Sequence, residues 1–232
     1  MTLIYPRGCQ LCGASVESFA NGAACAACWS KTQIFDGSET LCQKCGRLLK
    51  HAGVRGDKIF CHCCDDDFYQ SARAVGVYEG ALRVAVLELK EKPFIPSKLK
   101  DLLVQAFQQF PLNEATKIVP VPLHPQRLRE RGFNQAAILA RTLSRHIGLP
   151  VLENCLTREI YTRQHRGAMD EKARRESVAK VFAVQQPRLV ENQTILLVDD
   201  VFTSGATASV CAQALQENGA RTVFVLTVAR AV

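Results

Sequence analysis

Residues 195–207 read ILLVDDVFTSGAT, and this stretch decides the fold of the second half of the chain. Its four leading apolar residues predict a short buried strand that ends in two acids. The small polar residues that follow predict a turn that opens a helix. The unpaired N–H groups and the dipole at the start of a helix favour an anion. The stretch therefore predicts an anion-binding turn directly after a strand.

The side chains of this turn suit a sugar phosphate. It offers three hydroxyl donors and a glycine that lets the backbone wrap closely, and its residues are Thr203, Ser204, Gly205, Ala206 and Thr207. The carboxylates of Asp199 and Asp200 can accept hydrogen bonds from sugar hydroxyls or hold a hydrated Mg²⁺. A phosphate beside a diol, as in ribose 5-phosphate, uses both features. In the structural alternative, Asp200 only caps the helix and Asp199 makes a surface contact.

The pattern around this turn predicts an α/β domain over residues 71–232. A helix at 206–218 leads to a strand at 222–228, and strand, helix, strand with short joints implies a parallel sheet with a right-handed crossover. Neither GxxxxGK[ST] nor GxGxxG occurs in the chain, which excludes the two familiar nucleotide-binding loops.

Upstream of the turn, apolar spacing predicts further strands and helices that would flank the same sheet. The strands are at 74–77 and 117–121, and the helices are around 82–89, at 98–110 and from Asn134 to the stop at Gly148. Residues 122–133 are interpreted as a loop rich in Pro and Arg. The polar, basic stretch 158–175 is interpreted as a mobile loop that leads into a helix.

Cysteines dominate residues 1–70. Nine of the eleven cysteines fall in the first 64 residues, and eight of them form four C-x-x-C pairs. The pairs are Cys9 and Cys12, Cys25 and Cys28, Cys42 and Cys45, and Cys61 and Cys64. This segment lacks sustained apolar periodicity, so it can bury only a small core. A small core of this kind needs disulfides or bound metal for stability. The pairs favour metal binding over disulfides in a cytosolic chain.

Two such pairs complete a tetrahedral shell of four thiolates, so residues 1–70 predict a double zinc-ribbon module with two structural Zn²⁺ ions. We expect consecutive pairing, 9/12 with 25/28 and 42/45 with 61/64, with a cross-braced arrangement as the alternative. Cys63 or His62 competes for the fourth pair. Gly13 and Gly46 follow the second cysteine of their pairs, where a positive φ lets backbone amides point toward the thiolates.

Charge is distributed unevenly along the chain. Residues 1–70 contain seven Lys or Arg and seven Asp or Glu, so the whole net charge of +7 lies beyond them. This excess indicates either solvated helix faces or a site for polyphosphate or nucleic acid. The first residues lack the features of a signal peptide, and no apolar run reaches the roughly 18 residues of a membrane span. The sequence therefore predicts a cytoplasmic protein with no membrane insertion.

Residues 198–207 resemble the phosphoribosyl pyrophosphate (PRPP) motif of type I phosphoribosyltransferases. The four cysteine pairs resemble those of the ComF family, which is associated with natural competence. Further similarity to that family lies in residues 119–125 (VPVPLHP), 131–135 (RGFNQ), 78–83 (YEGALR) and 87–90 (LELK). The resemblance covers nearly the whole chain. It implies a type I phosphoribosyltransferase fold behind the double zinc ribbon.

The resemblance also implies roles for individual residues. Asp199 and Asp200 would bind the ribose hydroxyls, residues 203–207 the 5-phosphate, and Mg²⁺ would accompany PRPP. The loop facing the pyrophosphate would contain Pro122, Leu123, His124 and Arg127. Residues 158–175, with Arg163, Arg166 and Lys172, would form a lid over PRPP. No residue is assigned as a catalytic acid or base.

Three functions remain open at this point. The first is a phosphoribosyltransferase whose acceptor the sequence does not identify. The second is a non-catalytic component of DNA uptake that senses PRPP or handles single-stranded DNA together with competence proteins. The third is a fold reused without PRPP binding. Aromatic residues make up 7% of the chain, so a stacking platform for single strands is not evident from composition.

Overall fold

A parallel sheet lies at the centre of the computed structural model, which describes residues 7–49, 59–159 and 181–231. The strands are β1 (Ser71–Val77), β2 (Lys117–Pro120), β3 (Leu156–Arg158), β4 (Phe182–Val184), β5 (Thr194–Phe202) and β6 (Thr222–Arg230). Four of them form the sheet in the order β1-β6-β5-β2, each parallel to its neighbours. Strands β3 and β4 form a separate antiparallel pair.

Helices cover both faces of this sheet. They are α1 (Ala26–Ser30), α2 (Gly80–Glu91), α3 (Ser97–Gln108), α4 (Pro125–Arg131), α5 (Gln135–Ile147) and α6 (Ala206–Glu217). The predicted α/β fold, with a parallel sheet flanked by helices, is confirmed. Across the described residues, no helix has the length and apolar character needed to cross a membrane.

The core is divided by the sheet, as the alternation of side chains along a strand requires. On β6, Phe224, Leu226 and Val228 pack into one cluster with residues of α2, α3 and α5. Val223 and Val225, which point the other way, pack into the second cluster with residues of α6. Because every one of these five side chains is buried, β6 is a central strand covered on both faces.

Strand β5 is longer than the sequence predicts. The apolar run ends at Val198, but backbone pairing with β6 continues, with Asp199 opposite Thr227 and Phe202 opposite Arg230. The prediction that the strand ends before the two acids was therefore wrong by four residues. Asp199 and Asp200 are therefore part of β5, and pairing with β6 fixes the position of their backbone.

The sequence did not predict helix α4 or the pairing of β3 with β4. The predicted loop at 122–133 contains α4, which begins with Pro125 at its first position, is capped by the His124 side chain and ends at Gly132 in the left-handed conformation. The predicted loop at 158–175 begins inside a strand, since β3 reaches Arg158 and pairs with β4. Most of that loop lies outside the described residues.

The cysteine-rich segment packs along β1. The backbone N–H of Phe35 donates to Val75, and that of Val77 donates to Gln33, so residues 33–35 lie beside the strand. Further along β1, the N–H of Ala72 donates to the Lys44 carbonyl at 2.6 Å. The boundary that we predict between residues 70 and 71 falls at the start of β1. Cys9 and Cys25 pack into the core on one side of the sheet, and Cys42, Cys45 and Cys64 pack into the core on the other side.

Candidate functional site

The eight paired cysteines gather into two separate clusters. One contains Cys9, Cys12, Cys25 and Cys28, and the other contains Cys42, Cys45, Cys61 and Cys64, with all four Sγ atoms of each within 4.8 Å of one another. Nearest Sγ–Sγ separations are 3.6 and 3.7 Å in the first cluster and 3.4 to 3.7 Å in the second. A tetrahedral zinc with Zn–S bonds of about 2.3 Å needs separations of about 3.8 Å. The predicted consecutive pairing is confirmed, and the geometry fits Zn²⁺.

The two clusters repeat the same backbone detail. The N–H of Cys25 donates to Cys9 Sγ, and the N–H of Cys61 donates to Cys42 Sγ, each at 3.3 Å. Burial raises the pKa of both thiols, but the backbone N–H groups around them outweigh it and lower the pKa of Cys9 to about 6 and that of Cys42 to about 7. Each cluster therefore contains a thiol prepared to bind metal as the thiolate.

The residues that competed for the fourth pair lie outside the second cluster. His62 is fully exposed and lies 3.6 Å from the Asp65 carboxylate. Cys63 is exposed and accepts a contact from the Arg47 guanidinium at 3.3 Å. The ligand set therefore consists of Cys61 and Cys64 in this pair, which resolves the alternative left open by the sequence.

The turn after β5 is open to a ligand. Helix α6 begins after Gly205, which has no side chain to cap the helix and adopts φ 86°. A Cβ at this glycine would meet the Phe202 ring at 2.8 Å, so the turn needs glycine for space as well as for conformation. Four residues of the turn, Thr203, Ser204, Ala206 and Thr207, are exposed. The Ala206 N–H donates to Ser204 Oγ at 3.4 Å, and the turn that opens α6 lies at the surface, where an anion can reach it.

The two acids lie beside this turn. Asp199, Thr203, Gly205 and Thr207 line the same small hollow, of about 40 Å³. The Asp200 N–H donates to Asp199 Oδ1 at 2.8 Å. Asp199 and the polar turn thus lie together, with Asp200 as the next residue, at the carboxyl end of a central parallel strand, where ligands of α/β proteins commonly bind.

Asp200 has partners that sequence reasoning did not identify. Lys90, in the last turn of α2, places its Nζ 3.3 Å from Asp200 Oδ2. Gln135, the first residue of α5, donates from Nε2 to the same oxygen at 3.5 Å, while its Oε1 is buried without a hydrogen-bond partner among the described residues. Both residues stand in stretches that resemble the ComF family, which was the one available signal for them.

Asp199 has an unusual electrostatic environment. Burial and the neighbouring charge of Asp200 raise the pKa of Asp199 well above its ordinary value, against the Asp200 N–H and the Lys90 ammonium, which lower it. Two carboxylates placed side by side without a ligand are therefore held at a cost to stability. Raised pKa values of this kind are frequent in ligand sites.

This cost gives a testable prediction. Asp199→Asn should raise the melting temperature of the ligand-free protein at pH 8, by about 2–4 °C for each kcal/mol gained. The folded-state pKa of Asp199 is raised, so its contribution to stability is present at low pH and is lost as pH rises through that pKa. The advantage of the variant should therefore shrink as pH falls. Thermal unfolding of both proteins across pH checks it, and a constant difference would contradict the assignment.

The loop after β2 starts next to the acids. Strand β2 pairs with β5, and the Val121 N–H donates to the Val198 carbonyl at 2.9 Å. Asn134 fixes the loop from the other side, because its Nδ2 donates to the Val121 carbonyl at 3.0 Å while its Oδ1 caps α5. The loop therefore begins at the same edge of the sheet as the acid pair.

The residues predicted for this loop lie in different settings. Pro122 and Leu123 line a cleft of about 440 Å³ between α4, α5 and β3. His124 Nδ1 accepts from the Gln126 N–H at 3.2 Å and caps α4, and Arg127 is exposed in the first turn of that helix. The predicted lid residues Arg163, Arg166 and Lys172 lie outside the described residues.

Comparison with known proteins gives relatives along almost the whole chain. The family described as "Double zinc ribbon domain" matches residues 1–66. DNA utilization protein YhgH of Escherichia coli O157:H7 is 30% identical, over 96% of this chain and 96% of its own length. Competence protein F of Haemophilus influenzae is 28% identical, over 96% of this chain and 90% of its own. Competence protein ComFC of Bacillus subtilis is 28% identical, over 84% and 78%.

Among solved structures, similarity extends to phosphoribosyl enzymes. The glutamine PRPP amidotransferase of B. subtilis matches with a TM-score of 0.42 and 19% identity, over 62% of this chain and 30% of that one. The purine phosphoribosyltransferase of Pyrococcus horikoshii matches with a TM-score of 0.36 and 15% identity, over 58% and 84%. Both TM-scores are below 0.5, so inferences about function depend on the relatives in sequence and on the site geometry.

Proposed function

This chain belongs to the ComF family of competence-related proteins, in which a double zinc ribbon precedes a phosphoribosyltransferase-like domain, and we propose that it binds PRPP with Mg²⁺ at the end of β5. One observation carries the proposal. Asp199 shares a small hollow with the turn that opens α6, and Asp200, the next residue of the same central strand, directs its carboxylate to Lys90 and Gln135. A ligand that joins a phosphate to a neighbouring diol satisfies both the turn and the acids.

In this proposal, each part of the site binds one part of PRPP. The N–H groups that open α6 and the hydroxyls of Thr203, Ser204 and Thr207 bind the 5-phosphate. The carboxylates of Asp199 and Asp200 accept hydrogen bonds from the 2- and 3-hydroxyls of the ribose. The Lys90 ammonium, which lies 3.3 Å from Asp200, compensates the charge of the acids before the sugar arrives.

The loop that begins at Val121 and continues through Pro122 is proposed to face the pyrophosphate, with the backbone N–H groups of Leu123 and His124 as donors and Arg127 as a cation. Hard oxygen ligands suit Mg²⁺, and here they come from Asp199 and Asp200 together with the ligand's own phosphates. When bound, Mg²⁺ neutralises the charge that accumulates on the departing pyrophosphate.

We propose phosphoribosyl transfer as the activity: an acceptor attacks the anomeric carbon of the ribose, and pyrophosphate leaves. The direct test titrates PRPP into the full-length protein with and without Mg²⁺, and then follows pyrophosphate release against a panel of nucleobases. Saturable Mg²⁺-dependent binding with release for one acceptor supports the enzyme. Binding without release for any acceptor supports a PRPP sensor, and no binding up to millimolar PRPP rejects the site.

The cysteines support a proposal for the compartment. None of the eleven forms a disulfide, and eight of them gather into two clusters of four thiols. Thiols in this number persist where the surroundings are reducing. We therefore propose that the protein works in the cytoplasm.

A second candidate function is the handling of single-stranded DNA, and the cleft between α4, α5 and β3 favours it. Its lining includes Phe133, on which a base can stack, together with Arg158 and with Arg141, which pairs with Glu153 of the same cleft. Exposed arginines of α4 and α5 continue the positive surface beyond the cleft. The E. coli relative is named as a DNA utilization protein.

This candidate predicts which charges matter. Arg129→Ala, on the exposed face of α4, should weaken single-stranded DNA binding and lower the slope of log K against log salt by about 0.7, the value for one lost phosphate contact. Lys44→Ala in the second ribbon serves as the control, because the Lys44 ammonium donates to the Asp65 carbonyl at 2.9 Å. Fluorescence anisotropy at several salt concentrations measures both. Equal losses from the two variants would remove the DNA surface from the second domain.

A further inference from the structure

Arg230, the last residue of β6, contacts the second cysteine cluster. Its side chain is buried, with 5% of the residue exposed. The guanidinium donates one hydrogen bond from Nη1 to the Cys45 carbonyl, and Nη2 lies 3.6 Å from Cys45 Sγ. Four thiolates around Zn²⁺ carry a net charge of −2, so a buried guanidinium at this distance supplies part of the compensating charge. Arg230 therefore fits the metal-bound form of the cluster.

The other face of the same guanidinium reaches the phosphate-binding turn. Its Cζ lies 4.6 Å from the centre of the Phe202 ring, a cation–π contact. Phe202 is the last residue of β5 and lies opposite Arg230 in the sheet. The Phe202 ring meets the Tyr69 ring edge-on at 5.7 Å.

These two aromatic rings form the floor of the turn. A Cβ on Gly205 would lie 2.8 Å from Phe202 Cζ and 3.1 Å from the Tyr69 hydroxyl oxygen. The turn is therefore packed directly on the rings, and a shift of Phe202 would displace the backbone that binds the phosphate. Tyr69 is itself held, since its hydroxyl donates to Asp67 at 2.6 Å.

We propose that Arg230 is a positioning residue that couples zinc occupancy of the second cysteine cluster to phosphate binding at the turn after β5. The contacts run without a gap from Cys45 through Arg230 and Phe202 to Gly205. When zinc leaves, the cluster no longer fixes the Cys45 carbonyl, and Arg230 loses the partner that orients it over Phe202. The inference rests on the proposed PRPP site. It adds that zinc bound to the second cluster regulates the binding of PRPP there.

The first cluster is connected differently. The Thr32 hydroxyl, which follows that cluster in sequence, accepts from the Ala81 N–H at the start of α2, and Arg7 pairs with Glu88 of the same helix. Its contacts therefore lead to α2 rather than to the floor of the turn. The coupling through Arg230 is accordingly a property of the second ribbon.

Coupling between two sites is reciprocal, which provides the test. PRPP with excess Mg²⁺ should slow the release of one of the two zinc ions to a chromogenic chelator, by at least about fivefold. In Arg230→Met the protection should disappear, and PRPP affinity should fall by a similar factor. Phe202→Leu keeps the contact between Arg230 and Cys45 but removes the stacked ring, so it should retain two zinc ions and also lose the protection.

The matched control is Arg221→Met, near the opposite end of β6, where the guanidinium contacts the Thr194 hydroxyl. It should behave as the wild type in zinc release and PRPP binding. If wild-type protein binds no PRPP, the proposed function fails. If it binds PRPP but zinc release is unchanged by the ligand, or if protection persists in both Arg230→Met and Phe202→Leu, the coupling fails and the PRPP site stands.

Discussion

Cys42→Ser should remove one of the two zinc ions and unfold the second ribbon locally. Structural zinc in ribbon-like peptides contributes apparent free energies of about 10–16 kcal/mol, so loss of one of four thiolates abolishes tight binding. Cys42 is fully buried and belongs to the four-thiol second cluster. Elemental analysis and limited proteolysis of the purified variant measure both effects.

Cys9→Ser should cause the equivalent loss in the first cluster. Cys63→Ser is the matched control, because Cys63 is exposed and lies outside the second cluster although it directly precedes Cys64. This variant should retain two zinc ions and the wild-type proteolysis pattern. Fewer than one zinc per chain in wild-type protein that has never met a chelator would reject both metal sites.

The sequence was sufficient for the ligands of the metal clusters and for the strand and turn of residues 199–207, whose proposed role in phosphate binding stays a prediction. A C-x-x-C spacing places two thiolates on one turn by local geometry alone, so the ligands could be named before the structure. The same holds for residues 199–207, where the acids, the glycine and the hydroxyls follow each other along one strand and turn. In both cases, the arrangement of these side chains is determined by residues that are neighbours in the sequence.

The sequence was insufficient where the partner is distant. Gln135 reaches Asp200 across 65 residues, and Arg230 reaches Cys45 across 185. Neither contact leaves a local pattern, since each depends on which strands become neighbours in the sheet. Lys90 could not be identified from sequence either, because only the packing of α2 in the folded domain brings its ammonium to Asp200.

Helix α4 was missed for another reason. The charged residues of 125–131 show no apolar face, and a pattern of this kind favours a loop. The helix is instead specified at its ends, by Pro125 at the first position, the His124 side chain as cap and Gly132 at the close. In this short helix, the residues at its two ends determined the structure more than apolar periodicity did.

Asp200→Ala and Thr203→Ala should each weaken binding of Mg²⁺-PRPP at least tenfold while both zinc ions remain bound. Removal of one charge-assisted contact to a ligand costs on the order of 1.5–3 kcal/mol, which corresponds to about tenfold or more in affinity. Thr203 is exposed, and the Asp200 side chain is 15% exposed and contacts polar groups, so neither residue belongs to the apolar core. Calorimetry at fixed Mg²⁺ measures the affinities.

Ribose 5-phosphate distinguishes the two halves of the site. It carries the diol and the 5-phosphate but misses the loop after β2 and the metal, so it should bind more weakly than PRPP and should still respond to both substitutions. Asp101→Ala, which removes an exposed carboxylate on α3, is the matched control and should bind PRPP as the wild type does. If Asp200→Ala and Thr203→Ala bind as tightly as this control, PRPP binds elsewhere, because a site at the end of β5 cannot lose its acid or its first hydroxyl without loss of affinity.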